Sequence, residues 1–435
     1  MKHAFVNATV LDGTRDMQPL ANHAVLIEGD RITAVLPMEE DVASETERLA
    51  SQGFDVVDLG GRYLMPGLIN LHVHLAGSGA PKKKEQDNVA AVKLVTANPL
   101  TRAVGHAMVA NFAKTQLMSG TTTIRTVGGI ADFDTRIRDL IADGKKIGPR
   151  ILASNMAVSV EEGHMAGSLA HIAHTPEEAR AFVRAIAEDE PDLIKIMITG
   201  GVLDAKVKGE PGKLLMSPEI VAAACDEAHK LGLIVAAHVE SPDGVRVALE
   251  GGVDTVEHGA KPDPRIIELF RERKAALVTT LSPALPFALF DREVSHATEL
   301  SQYNGDIVFR GIIDCAKACL DAGVTVGLGT DTACPFVTQY DMWRELAYFV
   351  RYCDVTPSFA LHTATCVNAR IAGLGDEVGT VEAGKCADLI VTAGNPLDDV
   401  SALRRVDMVM TRGKLVRAPK VKKIEACERE LDKFI

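Results

Sequence analysis

Short apolar runs recur through the middle of the chain, and amphipathic stretches separate most of them. The runs are Leu68–His74, Thr121–Val127, Arg150–Asn155, Leu193–Ile198, Leu233–Val239, Thr255–His258, Ala276–Thr280 and Val324–Gly329. Apolar segments of this length, bounded by turn signals, read as buried strands. Helices are expected over Phe133–Asp143, Pro176–Asp189, Ser217–Leu231, Pro264–Lys274 and Asp306–Ala322. Thr175 and Ser217 stand as N-caps before Pro176 and Pro218, which suit a first helical turn. Eight strands alternating with helices predict an α/β fold, a (β/α)8 TIM-type barrel. An open doubly wound sheet is the competing arrangement. It would carry a nucleotide-binding glycine fingerprint after the first strand, and none follows Leu68–His74.

The two ends are patterned differently. Ala4–Leu11, Ala24–Glu28, Arg31–Leu36 and Val56–Leu59 read as short strands, as do Cys386–Val391 and Val406–Thr411. A small β-sandwich built from both termini is therefore expected, with residues 1–64 and 376–435 flanking a barrel at 65–375. The stretch Leu75–Arg102 is long for a β-to-α connection and holds Gly77, Gly79 and Pro81. Connections of that length are often functional, and a lid at the barrel mouth is expected.

Composition narrows the partners. A net charge of −12 argues against nucleic acid or an anionic membrane. The Lys82-Lys83-Lys84 cluster is too short to reverse that and reads as a solvated loop. No apolar run is long enough for a membrane span. The N-terminus alternates like a strand and lacks a signal-peptide core. The eight cysteines form no C-x-x-C pair, which fits reduced thiols in a cytoplasm.

Candidate chemistry lies at the strand ends. In Pro66-Gly-Leu-Ile-Asn-Leu-His-Val-His74, His72 and His74 are two apart on a strand and face the same way. They suit one metal ion, or are core histidines bonded to carbonyls. Lys195 lies inside the apolar Leu193–Ile198, where an unpaired ammonium is costly. His238 ends Leu233–His238, His258 follows Glu257, and Asp331 ends Val324–Asp331. Singly, such residues are usually hydrogen-bonded or cap helices. Together they sit on strands one, four, five, six and eight, on the face where such barrels place catalytic groups.

This constellation resembles the amidohydrolase superfamily, in particular its members with two bridged metals. The phrases Leu64–His74 and Gly379–Val391 resemble it too, and the likeness covers essentially the whole chain. It implies that His72, His74 and Asp331 hold one divalent metal and His238 and His258 a second, with zinc best suited to the donors. It implies that Lys195 is carboxylated and bridges both, and that a bridging hydroxide attacks the substrate. Asp331 would take the hydroxide's proton and give it to the leaving amine.

Within that superfamily the chain is similar to the prolidase-like and imidazolonepropionase-related group, through Ser119–Gly129, Lys195–Val202 and Gly252–Gly259. The likeness implies a hydrolase acting on dipeptides or N-acyl amino acids, and a homo-oligomer. Gly163-His164 matches a Gly-His of the relatives, so His164 is a catalytic candidate that would contact the scissile carbonyl or a substrate carboxylate. One departure stands out. Relatives carry H-A-Y after strand five, where this chain has His238-Val239-Glu240. Glu240 would repel a carboxylate and attract an amine or guanidinium. Arg125 is then a candidate anion contact, or a structural ion pair. Deaminases and hydrolases of cyclic amides, carbamates or lactones share the site chemistry. A non-catalytic assembly protein would have lost metal ligands, and all six are present.

Overall fold

The computed structural model describes residues 1–39, 41–81 and 87–435, so the Lys82-Lys83-Lys84 cluster lies outside the described residues. Eight parallel strands form the barrel in chain order: Leu68–Val73, Thr121–Thr126, Arg150–Leu152, Leu193–Met197, Ile234–Val239, Thr255–His258, Ala276–Thr279 and Val326–Leu328. Parallel strands covered on both faces read as continuous buried runs. Every residue of the first, second and fourth strands is buried accordingly.

The strands hydrogen-bond as two groups, one to three and four to eight. Two seams close the ring. Asp192 N donates to Ala153 O, and Asp331 N to His72 O, each at 2.8 Å. The second seam lies at the candidate site and is tightly built. A Cβ on Gly329 would fall 2.4 Å from His72 Cβ, so only glycine lets strand eight approach strand one. Buried Asn368 donates to Ile69 O at 2.7 Å and Leu328 O at 2.8 Å, stapling the same two strands. Thr332 Oγ1 donates to His74 O and accepts from His74 N, both at 3.0 Å.

Helices enter through a repeated device. Thr175, Ser217, Ser241, Asp263 and Thr356 each cap a helix that has proline in its first turn. The helix expected from Asp306 starts earlier, at Glu299, because Thr298 caps it by accepting from Ser301 N.

Both termini supply the second sheet, as expected. Its eight strands hydrogen-bond along one continuous path and enclose an apolar core drawn from both ends, with Phe5, Val25 and Ile27 packed with Leu389, Val391 and Met410. The continuity lies in the strand Lys2–Val10. One edge pairs with Leu20–Glu28, and the other pairs first with Asp55–Asp58 and then with Tyr63–Pro66. Tyr63–Pro66 straddles the expected boundary at residue 64 and pairs with Leu389–Thr392, joining the N- and C-terminal parts.

The stretch Leu75–Arg102 is not one long loop. Helices Asn88–Thr96 and Pro99–Met118 occupy its second half, the latter started by a capping box at Asn98 and Thr101. The described first part is docked. Gln339 Nε2 donates to Gly77 O at 2.6 Å, and Phe336 N to Gly79 O at 2.8 Å. Among the described residues, no helix is long and apolar enough to cross a membrane.

Candidate active site

The barrel brings His72, His74, Lys195, His238, His258 and Asp331 to one place, all of them buried. Strand alternation aims His72 and His74 together. His258 and Asp331 need a further device, and both have left-handed backbones, with φ of 66° and 57°. At His258 this turns two consecutive residues inward: Glu257 bonds to strands one and two while His258 meets His238. Such backbone costs free energy and persists where the surroundings enforce it.

Hydrogen bonds fix which ring nitrogen of His72 and of His74 carries the proton. His72 Nδ1 donates to Glu257 Oε2 at 2.8 Å, and His74 Nδ1 donates to Gly128 O at 2.7 Å. A carboxylate and a carbonyl can only accept, so each neutral ring presents a lone pair at Nε2. Those two Nε2 atoms face Asp331 Oδ1, itself an acceptor, at 3.5 and 3.1 Å. His238 Nε2 is 3.4 Å from Gly200 O, which leaves its Nδ1 facing His258 Nε2 at 2.8 Å. His258 Nδ1 is 2.7 Å from Thr280 Oγ1. Acceptors that face acceptors call for cations between them. Outer partners on the far nitrogen are the usual support of ligating histidines. Donor atoms of His72, His258 and Asp331 lie within 4.8 Å of one another, so the residues fit a metal.

The electrostatics agree. Burial lowers His72 and His238 well below the usual histidine range and His258 to about 4, leaving the neutral, ligating rings. Lys195 is fully buried, its Nζ has no hydrogen-bond partner, and burial lowers it to about 8.

His164 stacks on His238, with ring centroids 4.2 Å apart and planes within 9°. Its Nδ1 is 2.6 Å from Asp204 Oδ2, which also accepts from Gly201 N at 2.8 Å. Glu240 lies close to His238 and His258, so it does not face away. Burial, then Asp331 and Asp204, raise its carboxyl to about 8.

Arg125 is corrected from a substrate contact to a structural ion pair. It is fully buried and donates to Glu257 Oε1 at 2.7 Å, Leu71 O at 2.8 Å and Thr255 Oγ1 at 3.1 Å. Its place inside an all-buried strand keeps the guanidinium within the barrel. Two site residues were not anticipated from the sequence: Glu257 as the partner of His72, and Asp204 as the partner of His164. A carboxylate inside the apolar run Val253–His258 was a signal for the first. Asp204 sits in an irregular loop with no periodicity to mark it.

Comparison with known proteins agrees with this architecture. The model of a family described as the amidohydrolase family matches residues 63–416. The chain is 28% identical to an ochratoxinase of Aspergillus niger over 437 residues, covering 93% of this chain and 85% of that protein. A solved structure of a prolidase candidate from Bifidobacterium longum superposes with a TM-score of 0.86 at 37% identity, covering 99% of this chain and 98% of that one. A Xaa-Pro dipeptidase with methionine bound in its active site superposes at 0.81 and 27% identity, covering 96% and 100%. With the match running across the barrel and into the strands of the terminal sheet, the chain belongs to the amidohydrolase family.

Proposed function

We propose that the protein is a metal-dependent hydrolase that cleaves the amide bond of a dipeptide or an N-acyl amino acid. The observation that carries this reading is the convergence of ring nitrogens from four histidines on the Asp331 carboxylate and on one another, with the unpartnered Lys195 amine buried nearby. His72, His74 and Asp331 would hold one ion and His238 and His258 the other, and their nitrogen and oxygen donors suit zinc. When bound, the ions supply an activated water at neutral pH and polarise the scissile carbonyl.

The remaining steps belong to the chain. The Lys195 amine, eased toward its neutral form by burial, would add carbon dioxide to give a carbamate and a released proton, supplying a further carboxylate to hold the ions. Asp331 accepts a proton from the attacking water and returns it to the leaving nitrogen. His164, oriented by Asp204, hydrogen-bonds the substrate's carbonyl oxygen or its carboxylate. When ionised, Glu240 would repel a substrate carboxylate, so anion recognition would fall to other groups. The cysteines are all free, which supports a reducing cytoplasm.

The test is zinc-loaded protein against a panel of dipeptides and N-acyl amino acids, scoring free amino acid and free ammonia separately. Amino-acid release is the expected result and shows which side chains fit. Ammonia alone would move the protein to the deaminases. Silence on both would overturn the reading and direct the search to cyclic amides, carbamates and lactones.

A further inference from the structure

We propose that Glu240 is a third protein ligand of the ion position bounded by His238 and His258. The inference rests on the metal reading of the same site and adds a donor to it. Glu240 follows His238 by two positions at the end of strand five, so strand alternation brings both to one face. Its backbone is fixed there. Glu240 N donates to Thr199 Oγ1 at 3.1 Å, Gly212 packs so closely that a Cβ would lie 2.4 Å from the Glu240 carbonyl, and Ser241 caps the next helix.

One carboxylate oxygen of Glu240 and one nitrogen each of His238 and His258 lie within 4.8 Å of one another. Glu240 Oε2 is cut off from solvent and has no hydrogen-bond partner. An unsatisfied buried carboxylate oxygen is costly. Glu240 Oε2 thus has no counter-charge or donor among the described residues. A metal ion between the three groups satisfies this oxygen together with the two histidine nitrogens.

Two histidines and one carboxylate with an open fourth position are a common zinc-binding set. A substrate ammonium would also be a cation, but two neutral imidazoles stand alongside Glu240, and a metal ion satisfies all three groups at once. Each ion position then has three ligands encoded by the chain: His72, His74 and Asp331 for one, and His238, His258 and Glu240 for the other. The second position would keep its ion without a carboxylated Lys195.

Zinc content of the dialysed full-length protein, by elemental analysis and chelator competition, tests this. Glu240→Gln keeps the shape of the side chain and removes its charge. It is expected to weaken one of two zinc equivalents by at least about tenfold, with the other unchanged. Lys195→Ala is expected to retain the second equivalent, and Lys195→Ala/Glu240→Gln to lose it. Two equivalents with unchanged competition in Glu240→Gln would overturn the proposal and leave the metal reading intact. A raised KM for amine-bearing substrates at unchanged zinc affinity would assign Glu240 to the substrate instead. A wild-type protein that binds no zinc would overturn both readings.

Discussion

Asp331→Asn is expected to lower kcat about 10²–10⁴-fold, the range for losing a general acid–base group. Asp331 Oδ1 faces the Nε2 atoms of both His72 and His74, so the carboxylate has two duties, holding an ion and carrying a proton. The amide keeps the shape but cannot accept the proton that attack releases. KM should change little, because the step lost is made in the transition state. The measurement is the initial rate of amino-acid release from the best panel substrate, with zinc content determined on the same sample. A loss below tenfold at full zinc occupancy would remove Asp331 from proton transfer.

Arg125→Met is expected to destabilise the fold by about 3–5 kcal/mol, the cost of breaking a buried ion pair from one side. Arg125 and Glu257 are both fully buried. Removing the guanidinium leaves Glu257 with Thr255 Oγ1 at 2.6 Å and His72 Nδ1 at 2.8 Å. These are neutral donors for a charge that has lost its counterion. Methionine is similar in length to the arginine stem, so little packing is lost. Urea unfolding followed by circular dichroism gives the change. The double variant Arg125→Met/Glu257→Gln should recover part of the loss, because no buried charge then remains unpaired. A change under 1 kcal/mol in the single variant would contradict the structural role and reopen the pocket for Arg125.

The barrel was legible because most of its buried parallel strands are closed apolar runs and several of its helices start at a cap followed by proline. Leu68–Val73 and Thr175-Pro176 show both signals. The inward-facing donors were legible for the same reason, since a lysine or histidine inside such a run has no cheap structural explanation. What the sequence did not reveal depends on pairing across the fold. The single continuous sheet follows from the two partners along one edge of Lys2–Val10, which no local pattern encodes. The burial of Arg125 depends on Glu257, over a hundred positions away along the chain. The helices within Leu75–Arg102 were missed for a local reason. The glycines of that stretch drew attention away from the helix-forming run Asn88–Thr96.

The central claim is that amide hydrolysis here requires ions at both positions. Zinc returned stepwise to chelated protein, while amino-acid release is followed, tests it most directly. The account predicts a silent chelated protein whose rate rises to a plateau at two equivalents per chain. Full activity after chelation, or a plateau at one equivalent, would contradict it.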